Sequence, residues 1–406
     1  MDLGMLGMVL EPCEKRLKAE ERLRKILGVK PVDRPTYERY ITGPIERHHS
    51  QYNAFAALKP DNEFGDEWRK SYKNRTGVNN FAQQLPASEL EPGDRLGQAL
   101  STVTGRICTG YHPAPLEVTP PEGRYEVTDK RIMSRLIKKV GLWLGADMVR
   151  IAHVDQRWVY RDKTVDEEYA IVVVVAHDHA MNQTAPSHLS GAASMAAYSK
   201  LKTICTQLND FIRVLGYEAV MRETLGPDPD MIMVPLAMDA GVGEFSRTGR
   251  CLSPEFGNNM RMKPVTTNLP LAIDKPISFN AHDYCMACES CATYCPAGAV
   301  PFGDVTEFPS GDPDEMFHNP GYRKWWVKAD RCLKIWMANP KKWTTCGGRC
   351  IAVCPWNKKI NLFHNTMRFL AIHAPQFIRK ALVWGDRVTY HRNKSLMKTW
   401  KEWAAG

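Results

Sequence analysis

Apolar and polar positions change their pattern twice along the 406-residue chain. From residue 1 to about 125, prolines, glycines, histidines and charges dominate, and one helical stripe stands out, over Glu14 to Leu27. The remainder of that stretch reads as extended, wrapping structure, with Pro113, Pro115, Pro120 and Pro121 marking a linker. Regular periodicity begins near residue 128. Apolar residues at 132, 133, 136, 137, 140, 143 and 144 form a helical stripe that Gly145 stops. Met148 to Ala152 predicts a strand, and the unbroken Ala-Ile-Val-Val-Val-Val-Ala of 170–176 predicts a strand buried in the core. A small-residue helix containing Gly191 to Ala197 follows, then a longer helix from Leu201 to Leu215 closed by Gly216. An apolar segment from Met231 to Met238 leads into Ala-Gly-Val-Gly-Glu at 240–244. Residues 128–275 therefore predict one domain of mixed helix and strand, of the α+β or α/β class. Beyond residue 361, Trp, Leu and Lys/Arg recur at helical spacing, predicting a tail over 361–406 that packs back on the core.

Composition adds little to this. With 44% hydrophobic residues the chain can bury a sizeable core, and length alone predicts two or three domains. The net charge of +9, from 54 Lys and Arg against 45 Asp and Glu, suits either a mildly basic surface or an anionic partner. No apolar run approaches the roughly 18 residues of a membrane helix. No twin arginine or apolar export segment is present, so the expected location is the outer face of the cytoplasmic membrane if this is a signal-cleaved mature chain, with the cytoplasm as the alternative. Walker, H-E-x-x-H and G-x-S-x-G patterns are absent, and Ala-Gly-Val-Gly lacks the rest of a phosphate-binding G-x-G-x-x-G. His177-Asp178-His179, at the end of the buried strand, has no further ligands at a recognisable spacing, so polar residues ending a strand are the favoured reading.

The cysteines change the picture. Eight of the twelve fall in two groups near the C-terminal end. Cys285, Cys288, Cys291 and Cys295 form a C-x₂-C-x₂-C-x₃-C-P run, and Cys332, Cys346, Cys350 and Cys354 form the second group, closed by Pro355. Three thiolates on one tight loop suit a 4Fe–4S cluster, and the fourth cysteine of such a run usually ligates the other cluster. The expected ligand sets are Cys285, Cys288, Cys291 and Cys354 for one cluster, and Cys295, Cys332, Cys346 and Cys350 for the other. Zinc prefers paired C-x₂-C, and disulfide frameworks belong to shorter secreted chains. The chain is expected to move electrons.

Several segments together resemble the reductive dehalogenases, the corrinoid and iron–sulfur enzymes of organohalide reduction. Gly-Ala-Asp-Met-Val-Arg-Ile-Ala at 145–152 followed by Asp155 to Tyr160, then Val234-Pro235-Leu236-Ala237 through Gly241-Val242-Gly243-Glu244 to Phe256-Gly257, match the family's segments in order, and Cys354-Pro355-Trp356-Asn357-Lys358 ends the match. It covers about 130–360 well, and the N-terminal third only around Tyr52 to Phe55. The resemblance implies an N-terminal wrapping region over 1–127, a nitroreductase-like, cobalamin-binding α+β domain over 128–275, and a ferredoxin-like two-cluster domain over 276–360. It also implies base-off cobalamin near Pro235, Gly241, Gly243, Phe256 and Gly257. Tyr198 and Arg261 match the family's proton-donating tyrosine and the arginine that favours its phenolate. Twenty-six residues beyond Tyr198, where the family carries asparagine, stands Thr224, with Asp228 a further stand-in. The implied partners are a small organohalide and a separate electron donor, with no nucleic acid expected and a homodimer allowed for. Tyr52, Phe55, Trp68, Trp325 and Trp326 are aromatic candidates for shaping the substrate pocket. Two rivals share the cysteines: the related epoxyqueuosine reductases, which act on tRNA, and a plain two-cluster electron carrier.

Overall fold

The computed structural model describes residues 10–56, 97–100, 102–104, 123–224, 226, 228–308, 318–338 and 348–390. Helix α1 (Glu11–Leu27) begins three residues earlier than its apolar stripe, because Pro12 occupies the first turn and Glu11 and Glu14 face the positive end of the helix dipole. Strand β1 (Lys30–Pro31) follows. Helix α2 (Lys130–Trp143) is capped by the Asp129 carboxylate, which accepts from Arg131 N–H at 2.7 Å.

The chain then builds a four-stranded sheet in the order β2-β3-β7-β4, every pair antiparallel. Its members are β2 (Met148–His153), β3 (Tyr169–Ala176), β4 (Ala219–Met221) and β7 (Met260–Thr267). Antiparallel pairing throughout makes the class α+β. β3 is central, and its continuous apolar run follows from burial on both faces. Tyr169, Ile171, Val173 and Val175 pack with Val149, Ile151 and Val265 against helices α2 and α4 (His188–Val214). Ala170, Val172 and Val174 point the other way with Met148 and Met260, onto Leu236, Ala237 and Met238 of α5 (Met233–Asp239). Between β3 and α4 lies the short helix α3 (His179–Gln183).

Helix α4 corrects one expectation. The two helices read over 191–197 and 201–215 are a single helix of 27 residues, about 40 Å long. No glycine or proline separates them, since Tyr198-Ser199-Lys200 are adequate helix formers, and Ser187 and Ser190 close a capping box at its start. The stripe Ala197, Leu201, Ile204, Leu208 and Ile212 covers the sheet.

A hairpin of β5 (Glu244–Phe245) and β6 (Cys251–Leu252) leads from α5 toward β7, and β8 (Ile277–Ser278) pairs with β1. The cysteine-rich segment follows as α6 (Ala281–Cys288), α7 (Ser290–Thr293), α8 (Ala329–Ala338) and α9 (Arg349–Ala352). Helices α10 (Leu362–His373) and α11 (Gln376–Tyr390) come last. Leu27, Phe279, Tyr284, Cys288, Trp356, Ile372 and Val383 form a third apolar cluster joining α1, α6, α10 and α11. The segment around residue 50 lies along the sheet domain, where Arg47 donates to the carbonyls of Val159, Tyr160 and Lys163 and Ser50 N–H donates to Asp162 at 2.8 Å. Among the described residues no helix is long and apolar enough to cross a membrane.

Candidate functional site

Tyr198 and Arg261 come from different elements and meet. Arg261 pairs in register with Val175 across β3 and β7, which points its side chain to the face covered by α4. A slip of one residue would send it to the opposite face. The guanidinium carbon lies over the Tyr198 ring, 5.0 Å from its centroid. Nη2 donates to Ser194 Oγ at 2.7 Å, one helical turn before Tyr198. Arg261 is 6% exposed, so it is a buried cation held against a half-buried phenol. Ser199 donates to the Thr104 carbonyl, which brings a described piece of the N-terminal third onto the same helix.

His177 sits at the end of β3 beside this pair. Asn259 Nδ2 donates to the His177 carbonyl at 3.2 Å, so its Oδ1 is the acceptor for Asn182 Nδ2. That same Asn182 amide reaches His177 Nδ1 at 2.8 Å, which places the imidazole proton on Nε2. Burial first, then Arg261 and Arg250, hold its pKa well below the usual histidine value, so the ring is neutral. The residues ending this strand thus lock a neutral histidine next to Arg261. Asp228 is exposed and held by Lys163 Nζ at 2.6 Å. Thr224, a few residues earlier, is half-buried.

The first cysteine group converges. Cys285 and Cys288 end α6, Cys291 lies on α7, and Cys354 follows α9. Burial raises the Cys285 thiol to about 12, opposed in part by Arg247. Burial and the other thiols hold Cys291 and Cys354 well above the ordinary value, Cys285 and Cys288 being neighbours of both. Cys288 is raised by burial and eased by Ser290, whose Oγ is 3.4 Å from its sulfur. Four clustered thiols, Cys288 buried and the others half-buried, disfavour one another's ionisation and form a donor set suited to a cationic iron–sulfur core, which would neutralise thiolates that are costly to hold away from water alone. Among the described residues, no group of three or more His, Cys, Asp or Glu already sits as ligands of one metal ion. One ion gathers thiolates at about 2.3 Å, whereas a cluster occupies the space between them. Cys291 also senses Cys350. In the second group Cys295, Cys332 and Cys350 are half-buried, and Cys295 sulfur accepts from Ala299 N–H at 3.3 Å. Cys346 lies outside the described residues.

The segment expected to hold a corrinoid is shaped largely by its own packing. A Cβ on Gly241 would meet the Lys275 carbonyl oxygen at 2.2 Å, and one on Gly257 would meet Asn357 Oδ1 at 2.0 Å. Gly241 N–H and C=O are taken by the Met238 carbonyl and Arg24, and Gly257 exchanges both backbone bonds with Ser253. These two glycines therefore let chain segments approach one another more closely than any side chain would allow. Gly243 also meets backbone, Leu252 O at 2.0 Å from its Cβ position. Pro235 and Phe256 are half-buried. Trp325, 1% exposed, stacks between Phe245 and His282 and donates to the Gly303 carbonyl, so it packs the cysteine loop. Trp68 lies outside the described residues. Periodicity gave no sign of Ser194, Asn182 or Asn259. Each is an ordinary polar residue until the fold sets it beside Arg261 or His177.

No family model matches the sequence. Curated relatives do. The chain is 29% identical over 331 residues to the tetrachloroethene reductive dehalogenase of Sulfurospirillum multivorans, covering 71% of this chain and 62% of that one. It is 30% identical over 292 residues to the enzyme of the same name from Desulfitobacterium hafniense, covering 60% and 52%. A shorter match, 28% over 102 residues and 25% of this chain, is to epoxyqueuosine reductase of Shewanella oneidensis. In fold, a reductive dehalogenase whose structure is described as suggesting a mechanism for B12-dependent dehalogenation superposes with a TM-score of 0.70 at 24% identity, over 92% of this chain and 50% of that one. The chain thus spans about half to three fifths of the length of these relatives. In sequence and in its mixed helix-and-strand fold, it is similar to the reductive dehalogenases.

Proposed function

We propose that this chain carries out reductive dehalogenation of a small organohalide, replacing halide by hydrogen with two electrons and one proton. The observation that carries the reading is the buried Arg261 guanidinium seated 5.0 Å above the Tyr198 ring, on a chain whose curated matches are reductive dehalogenases. The match to those enzymes spans 331 residues against 102 for epoxyqueuosine reductase, which favours organohalide over tRNA. We further assign the sheet and its covering helices to a nitroreductase-like domain, and the cysteine segment to a ferredoxin-like one.

When bound, two 4Fe–4S clusters and a base-off corrinoid would supply the electrons for carbon–halogen cleavage. Cys285, Cys288, Cys291 and Cys354 would hold one cluster and Cys295, Cys332, Cys346 and Cys350 the other, with Pro235, Gly241, Gly243, Phe256 and Gly257 near the corrinoid. The protein's own part is the proton. Tyr198 Oη is the donor to the carbon that loses halide. Arg261, fixed by Ser194, stabilises the negative charge left in the phenol when that proton departs. The neutral His177 adds no charge to compete with that role. A separate redox protein or membrane component would deliver the electrons.

Anaerobic turnover of a panel of chlorinated and brominated alkanes, alkenes and aromatics by the cobalamin-reconstituted chain tests the activity through halide release. Tyr198→Phe should keep iron and cobalt at wild-type content and lower kcat by about 10²–10⁴-fold, the usual contribution of a general acid. Near-wild-type turnover in Tyr198→Phe removes this residue from the mechanism, and absence of halide release from every substrate removes the function.

A further inference from the structure

The two ends of α6 carry opposite charges. At its N-terminus the buried Glu244 carboxylate accepts from Phe279 N–H at 2.8 Å and Ala281 N–H at 3.0 Å, a favourable place for an anion in the helix dipole. Its C-terminal end, which bears Cys285 and Cys288, meets two arginines. Arg247, from the β5–β6 hairpin, is 0% exposed. It donates to the Cys285 carbonyl from Nε at 3.3 Å and Nη2 at 3.0 Å, and from Nη1 to the carbonyls of Pro301 and Gly303 at 2.9 and 2.7 Å. Arg387, from α11, donates to the Cys288 carbonyl at 2.6 Å and to Ser290 Oγ at 3.1 Å. Segments far apart in sequence thus place a guanidinium on the carbonyl of each of two successive cysteines.

We infer that Arg247 and Arg387 are positioning residues that raise the reduction potential of the cluster held by Cys285, Cys288, Cys291 and Cys354. This rests on the cluster reading proposed above. One-electron reduction adds a negative charge to a group that four thiolates have already made anionic. Here it does so at the negative end of a helix dipole, in a buried setting where charges are weakly screened. Cluster potentials follow net charge, hydrogen bonding and exposure. Two cations tied to the ligating residues' own carbonyls favour the reduced form. Opposing charges are present but partial. Glu289, 3.4 Å from Arg247, has a side chain 33% exposed, and Asp386 is paired with Lys358 at 3.2 Å. Both guanidiniums sit on carbonyls of this group's own cysteines, so the effect falls first on this cluster.

The test is an anaerobic redox titration of the full chain followed by EPR, with iron content measured on each sample. Arg387→Gln should shift one cluster's midpoint to more negative potential by about tenfold in its reduction equilibrium, about 59 mV for one electron, and leave the other unmoved. Arg247→Gln should shift the same cluster further, and Arg247→Lys, which keeps the charge, less. Arg387 is half-buried on the last helix, so its variant decides the matter even if Arg247→Gln fails to fold. Wild-type midpoints in Arg387→Gln and Arg247→Lys at full iron content overturn the inference alone. A wild-type chain with no cluster signal overturns the cluster reading and this inference with it.

Discussion

Replacing Arg24 by methionine should be among the most damaging single changes outside the candidate site. Arg24 is 8% exposed and Glu255 4%, and they are joined by Nε–Oε1 at 2.6 Å and Nη2–Oε2 at 3.3 Å. Arg24 Nη1 also donates to the Gly241 carbonyl at 2.7 Å, so one side chain ties α1 to both loops that flank the β5–β6 hairpin. Burial alone would raise Glu255, but Arg24 overrides it and holds the carboxyl below its ordinary range. Arg24→Met leaves that carboxylate buried with Ser253 and the more distant Arg150 and Arg368 to compensate it. Removing one partner of a buried pair costs about 3–5 kcal/mol, and much of it is the penalty of the stranded charge. Arg24→Met with Glu255→Leu removes both charges and should recover at least about 2 kcal/mol of the summed single losses. The sign with pH is fixed. A carboxyl depressed in the folded state contributes stability above its unfolded pKa, and that stability is lost as pH falls through the folded value. The gap between wild type and Arg24→Met should therefore be wider at pH 6 than at pH 3.5, below the ordinary carboxyl value. Anaerobic urea denaturation of wild type, both single variants and the double variant measures all of this. A loss below about 1 kcal/mol in Arg24→Met, or strict additivity in the double variant, would refute the reasoning.

Two further outcomes follow from particular contacts. Gly257→Ala should destabilise the protein by roughly 2–5 kcal/mol, about 1–2 from φ +61° and the remainder from a Cβ forced against Asn357 Oδ1, measured by the same denaturation. Burial pushes Asp239 up to about 7, opposed in part by the hydrogen bond from Tyr37. Its contribution is full below the ordinary carboxyl value and is lost as pH rises through about 7. Asp239→Asn, which cannot ionise, should gain on wild type in stability as pH rises from 4 to 7, up to roughly 4 kcal/mol over that span, with little further gain above pH 7. Parallel stability curves across that range would show that burial does not raise Asp239.

Much of the fold was legible because it follows from local pattern. Ala170 to Ala176 could only be a covered strand, since seven consecutive apolar residues need apolar neighbours on both faces, and α4 and α5 provide them. The stripe over Ile132 to Leu144 and the stop at Gly145 specified α2. The supposed break inside α4 was misread because a run of small residues resembles a separate unit, although no residue there ends a helix. The glycines at 241 and 257 resembled parts of a cofactor loop. Lys275 and Asn357, remote in sequence and invisible to spacing, also press on them and require glycine there.

The site divides in the same way. Cysteine spacing by itself set the expectation of electron-carrying chemistry, because thiolates on one short loop are brought together by covalent geometry alone. Tyr198 and Arg261 were nominated by resemblance, but only the β3–β7 register and the crossing of α4 decided that they touch. The third dimension alone set Ser194 under Arg261, fixed the tautomer of His177, and laid Arg247 and Arg387 on the cysteine carbonyls. Local periodicity encodes which face of an element is buried. Which distant charge that face meets depends on how whole elements pack, and packing belongs to no single segment of the chain.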